Sequence, residues 1–213
     1  DYQSPIGSLT QWLLPDEESF PQNQSYLKAC TDKTTQLRDK YQRLASGKIL
    51  IGISWMSVNK HIGKPKSTSL NQWKDLLSRK DCLFINLQYG DVKDEIDAFY
   101  EQTGISIYHD QEINSLDNLD DFAAQVEALD LVISTSNTTV HMAGALGKTV
   151  WTLLHYVPDW RWQLDRSDTP WYPSMTLYRQ PSPDDWLSVF QKVQTDLKQF
   201  VEESLKTKKN PED

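Results

Sequence analysis

From residue 48 onward, short runs of β-branched and aliphatic residues alternate with stretches whose apolar positions recur every three or four residues. The strand-like runs are KILIGISW (48–55), CLFINLQ (82–88), ISIY (105–108), DLVIST (130–135), KTVWTLL (148–154) and MTLYR (175–179). Between them lie SLNQWKDLLSRK, with Ser69 in the N-cap position, then DVKDEIDAFYEQTG, LDDFAAQVEAL and TTVHMAGALG. Regular strand–helix alternation predicts a mostly parallel sheet of about six strands, joined by right-handed crossovers and covered on both faces. The expected fold is therefore α/β, doubly wound and Rossmann-like. A helix near 25–46 precedes this pattern and a long one near 183–206 follows it, each with an apolar stripe that needs a surface to pack on. The organisation read from the chain is a connecting segment and helix over 1–46, the Rossmann-like domain over 47–182, a packing helix over 183–206 and a charged, frayed tail over 207–213.

Composition narrows the partners. A chain of 213 residues can bury one sizeable core. Its 22 basic and 30 acidic residues give a net charge of -8, which argues against a broad nucleic-acid or anionic-membrane surface, so any anion site must be local. No apolar run of about 18 residues is present and the first thirty residues lack the core of a signal peptide, so a soluble, cytoplasmic protein is expected. The start at Asp1, directly in irregular sequence, points to a piece of something longer. Cys30 and Cys82 have no C-x-x-C spacing and read as reduced packing residues. His61, His109, His141 and His155 form no H-x-x-x-H pair, and no metal is expected.

In open parallel sheets ligands bind beyond the carboxyl ends of the strands, which directs attention to the loops at 56–68, 89–91, 109–117, 136–139 and 155–169. The first gathers Lys60, His61, Lys64 and Lys66 around Gly63 and Pro65. Such a cluster in an acidic protein suits a phosphate or pyrophosphate, and equally a solvated loop. Gln88, Tyr89 and Gly90 stand at a strand end, where an amide can read a base or ribose edge and a glycine permits a sharp turn. The run Ser134, Thr135, Ser136, Asn137, Thr138 and Thr139 holds more hydroxyl and amide than one helix cap requires. At a helix N-terminus that excess points to an anion. His141 reads either as a donor facing that loop or as a satisfied structural histidine. In the last loop Trp160, Trp162, Trp171 and Tyr172 are interleaved with Asp159, Arg161, Asp165 and Arg166. Trp162 and Trp171 read as a plug, Asp159 and Trp160 as site residues.

The run DLVISTSNTTVHMAGALGKTVWTLLHYVPDWRW, followed by DTPWYPSMTLYRQ, resembles the C-terminal glycosyltransferase-like domain found after tetratricopeptide repeats in many bacterial proteins and related to heptosyltransferases. The resemblance extends upstream through GISW, the lysine-bearing loop, FINLQYGD and ALDLVIS, over about residues 5–182. It implies the nucleotide-sugar-binding half of a two-domain GT-B enzyme, with an N-terminal GT-B half and the repeats as partners and no cofactor beyond the donor. On that resemblance Lys66 matches the basic position near the donor phosphates, Gln88 the strand-end polar position, and 136–141 the diphosphate-binding turn with His141 at its histidine. Ser136, Asn137 and Thr138 replace the relatives' Asp-Thr-Gly turn, which leaves the donor, ADP-heptose included, unassigned. No acid–base pair is evident in this stretch, so the expected role is donor binding, with metal-independent displacement at the anomeric carbon if the full-length protein is active. The same missing pair argues against an epimerase, and no G-x-G-x-x-G follows a strand, which argues against a dehydrogenase. The alternative is a degenerate scaffold or protein-interaction domain beside the repeats.

Overall fold

The computed structural model describes residues 3–21, 25–58 and 63–209. Five of the six strand-like runs form strands, with β1 at Ile49–Ser54, β2 at Cys82–Asn86, β3 at Leu131–Thr135, β4 at Val150–Leu154 and β5 at Met175–Arg179. They make one parallel sheet in the order β2-β1-β3-β4-β5. The α-helices are α1 (Thr10–Leu13), α2 (Thr31–Ala45), α3 (Gly63–Lys66), α4 (Leu70–Leu77), α5 (Lys93–Thr103), α6 (Leu119–Glu127), α7 (Thr138–Ala145) and α8 (Trp186–Lys209).

Strand residues alternate between two cores. Ile49, Ile51, Ile53, Leu131, Ile133 and Leu153 pack with α4, α5 and α8, whereas Leu50, Val132, Val150 and Leu154 pack with α2, α6 and α7. The sheet is thus covered on both faces, as its unbroken apolar strands require. Trp73 of α4 is fully buried, meets Phe190 of α8 edge-on at 5.3 Å and donates its indole N–H to Thr68 Oγ1 at 2.8 Å. The helix begins after Ser69, whose backbone N–H donates to Gln72 Oε1 at 2.9 Å.

Three expectations are revised. ISIY contributes only an isolated bridge between Tyr108 and Ile85, because the chain pairs once with the outer side of β2 and then turns so that Asp110 meets Lys40 and Tyr41 of α2. Helix α2 starts at Thr31, not near 25, since Tyr26 and Leu27 instead donate their backbone N–H groups to Ala145 O of α7. Helix α8 runs from Trp186 to Lys209, into the stretch expected to fray.

The order β2-β1-β3 has a further consequence. From β1 the chain moves outward to β2, then returns past β1 to β3, so strand order reverses between β1 and β3. Such a switch point leaves a crevice at the carboxyl ends of the two strands. Ser54 pairs with Ser134, and Ser134 with Thr152, so fully buried hydroxyl residues stand side by side at that end of the sheet.

Candidate functional site

The crevice is shaped by two buried amides. Asn137 caps α7 by accepting the N–H of Thr139 at 2.9 Å, and its Nδ2 donates to Ser54 Oγ at 2.7 Å and to Met56 O at 3.0 Å. Gln88, only 4% exposed, accepts at Oε1 from Ser54 Oγ (2.9 Å), Trp55 N (3.0 Å) and Met56 N (2.9 Å). The two side chains clamp the loop after β1 to the loops after β2 and β3. Both read as ligand groups in the sequence; in the fold most of their hydrogen-bonding capacity is engaged internally.

Above the clamp lies a cleft of about 430 Å³. Ser57, Val58 and Lys66 form one wall, Ser136, Asn137, Thr138 and His141 a second, and Asp159, Arg161 and Trp162 a third, with Tyr89 at the edge. Trp162, read as a plug between the sheet and the final helix, is 1% exposed but packs instead on the face covered by α2, α6 and α7, and it lines the cleft. Its indole N–H donates to Ser136 Oγ at 2.8 Å and its ring stacks on His141 at 5.3 Å between centroids. Asn137 takes one of the N–H groups at the start of α7, and Ser136, Asn137 and Thr138 at that positive end of the helix dipole line the cleft.

Cations dominate the remaining walls. Lys66 is half-buried, and among the described residues no ion pair engages it. Burial lowers its pKa, Asp159 opposes that shift and Arg161 adds to it. Arg161 pairs with Asp159 at 2.6 Å and lies 4.9 Å over the Trp160 ring. Burial pushes the pKa of His141 down to about 4, with Arg161 and Lys66 reinforcing the shift and Asp159 countering it, so the ring is neutral near pH 7.

Beside this cleft is a second cavity of about 320 Å³, lined by Asn86, Gln88, Tyr89, Gly90, His109 and Asn114 among others. Tyr89 stands between the two, its hydroxyl accepting the N–H of Val58 at 3.1 Å. Gly90 has φ of 90°, the left-handed turn for which glycine is suited. The sequence-read residues that meet in the main cleft are Lys66, Tyr89, Ser136, Asn137, Thr138, His141 and Asp159. Gln88 and Gly90 fall on the second cavity, and the buried Thr139 on a small apolar recess with Leu116 and Leu119. Lys64 is exposed and lines neither cavity, and Trp160, 56% exposed, projects away to meet Trp171 edge-on at 5.9 Å. Lys60 and His61 lie outside the described residues. Ser57, Val58 and Arg161 are wall residues that the sequence did not single out; Arg161, next to Asp159 in an aromatic-rich loop, was the one with a legible signal. Among the described residues no group of three or more His, Cys, Asp and Glu side chains is placed to hold a metal ion, and no helix is long and apolar enough to cross a membrane.

A reversing parallel sheet with a cationic cleft at its switch point defines a Rossmann-like domain. No protein-family model matches the chain. Protein FlbA of Caulobacter vibrioides is 30% identical over 202 residues, an alignment covering 94% of this chain and 33% of FlbA, so the chain spans about a third of that relative. Among solved structures it is similar to ADP-heptose lps heptosyltransferase II of E. coli, with a TM-score of 0.62 at 12% identity over 91% of this chain and 59% of that one. It is similar also to a glycosyl transferase family 9 structure from Veillonella parvula, with a TM-score of 0.60 at 14% identity over 86% of this chain and 54% of that one. At such identities the likeness is one of fold: the chain has a glycosyltransferase-like, GT-B-type scaffold.

Proposed function

We propose that this chain is the donor-binding half of a GT-B glycosyltransferase and takes a nucleotide-diphosphate sugar. The observation that carries the reading is Lys66, half-buried and without an ion pair among the described residues, in one cleft with the N-terminus of α7. A cation held partly out of water, next to the N-terminus of a helix, favours an anion over water in that space. Arg161 and the neutral His141 add donors, and the neighbouring cavity past Tyr89 offers room for a ribose and base. The structures that share the fold, a heptosyltransferase and a glycosyl transferase, agree with this class.

As the sugar transfers, negative charge grows on the departing diphosphate, and the α7 dipole, Lys66 and Arg161 would offset it. No acid–base pair is evident among the described residues of the cleft, and in this proposal the acceptor site and the proton acceptor come from an N-terminal half. An N-terminal GT-B half, tetratricopeptide repeats and a cytoplasmic location are parts of this proposal.

Calorimetric titration with UDP, GDP, ADP and CMP, without added metal, tests it. One nucleotide should bind, and Lys66→Ala should weaken binding by about 1–3 kcal/mol, the worth of a charge-assisted contact. Absence of binding both to this chain and to the full-length protein refutes the proposal. That outcome is what the scaffold reading expects, and one observation favours it: Ser136 and Asn137 already serve Trp162 and the β1 loop.

A further inference from the structure

Helix α7 carries Gly144 in its last turn, where glycine costs about 1 kcal/mol relative to alanine. The space explains it. A Cβ at this position would stand 2.5 Å from Cγ and 2.7 Å from Cδ1 of Tyr172. The ring of Tyr172 therefore lies directly across the helix backbone, 7% exposed, in a slot that only glycine leaves open. From there its hydroxyl sits 3.0 Å from Nδ1 of His141 and accepts from the hydroxyl of Tyr26 at 3.3 Å. On its other side His141 stacks on Trp162, so the imidazole is held by one ring face and one nitrogen.

We propose that Tyr172 is a positioning residue for the cleft: its hydroxyl donates to Nδ1 of His141, which puts the ring proton on Nε2 and turns an uncharged N–H donor toward an anionic ligand. The ligand half of this inference rests on the reading of the cleft given above; the tautomer does not. With burial, Arg161 and Lys66 opposing protonation and Asp159 alone favouring it, the imidazole holds one proton near neutral pH. Where that proton sits decides what the cleft meets. A proton on Nδ1 would present the Nε2 lone pair to an anion and repel it; a proton on Nε2 adds a hydrogen bond without adding a third cation beside Lys66 and Arg161. A phenol O–H is a far stronger acid than the N–H of a neutral imidazole, so at 3.0 Å the Tyr172 hydroxyl donates to a bare Nδ1, and this selects the second state.

The test is long-range proton–nitrogen NMR of the histidine rings in the ¹⁵N-labelled chain near pH 7.5, together with titration by inorganic pyrophosphate. The wild type should show the Nε2–H tautomer at His141. Tyr172→Phe keeps the ring over Gly144 but removes the hydroxyl; it should give a mixture of tautomers and weaken pyrophosphate binding about three- to tenfold, the range for one lost neutral hydrogen bond. Tyr26→Phe should leave the tautomer as it is. A wild-type ring protonated on Nδ1, or a Tyr172→Phe chain with unchanged tautomer or unchanged affinity, overturns the proposal. A wild type that binds neither pyrophosphate nor any nucleotide sinks the ligand reading instead, and the ring nitrogens still report whether Tyr172 sets the tautomer.

Discussion

Asn137→Asp separates two accounts of the residue at the head of α7. As a helix cap, aspartate is as good as asparagine, and its charge gains about 0.3–1 kcal/mol from the helix dipole. If capping were the whole role, the variant would be neutral or stabilised. In this fold the amide also donates from Nδ2 to Ser54 Oγ at 2.7 Å and to Met56 O at 3.0 Å, with the residue buried. A carboxylate has no hydrogen for either. Met56 O loses its side-chain donor and faces a carboxylate oxygen, while Ser54 can turn to the new acid only by abandoning Gln88 Oε1 at 2.9 Å. One partly buried polar group left short costs about 1–3 kcal/mol, so after the dipole gain a net loss of about 1–2 kcal/mol is expected at pH 7. For a chain of this size that is a drop of about 2–8 °C in Tm. Protonating the acid restores a donor, so the deficit relative to wild type should shrink toward pH 5. Urea unfolding of both proteins at pH 7 and pH 5 measures it. An Asn137→Asp chain as stable as wild type at pH 7 would refute the clamp and leave only the cap.

His141 supplies a pH prediction. Its folded pKa, about 4, lies below the ordinary value of 6.5, so its contribution to stability is present above pH 6.5 and is lost as pH falls toward 4, by at most about 3 kcal/mol. His141→Gln cannot titrate there, and should lose less stability than wild type between pH 6.5 and 4 in parallel denaturation curves. Tyr41→Phe should cost about 1–3 kcal/mol in urea unfolding at pH 7, because the fully buried hydroxyl donates to Asp110 Oδ2 at 2.8 Å and accepts from Gln125 Nε2 at 3.1 Å.

Apolar periodicity was sufficient to read the scaffold. The alternating runs located β1, β3, β4 and α7 to within a residue or two, and with them the crevice where Lys66, Ser136 and His141 converge. Periodicity could not say which polar atom faces which. Gln88 and Asn137 have the residue types of ligand contacts and the positions of ligand contacts, yet their partners include the Ser54 hydroxyl and backbone groups of residues 55 and 56, far off in sequence. Lys64 and Lys66 differ by two positions on one short helix, and only the turn of that helix makes one exposed and the other a wall of the cleft. The same limit hid the edge: ISIY has the composition of a strand, but the pull of Asp110 toward Lys40 and Tyr41 ends its pairing after one bridge.

The carbonyl of Ala145 receives two N–H groups, from Tyr26 and Leu27, while the ring of Tyr26 lies along that of Tyr172 at 6.2 Å. The strap ahead of α2 thus closes the far end of the helix whose near end opens on the cleft. Peeling residues 26 and 27 away would free the Ala145 carbonyl and take the Tyr26 ring and hydroxyl from Tyr172, the side chain that in turn meets His141. The leading stretch of the chain is in that sense a handle on the site, set at the back of it.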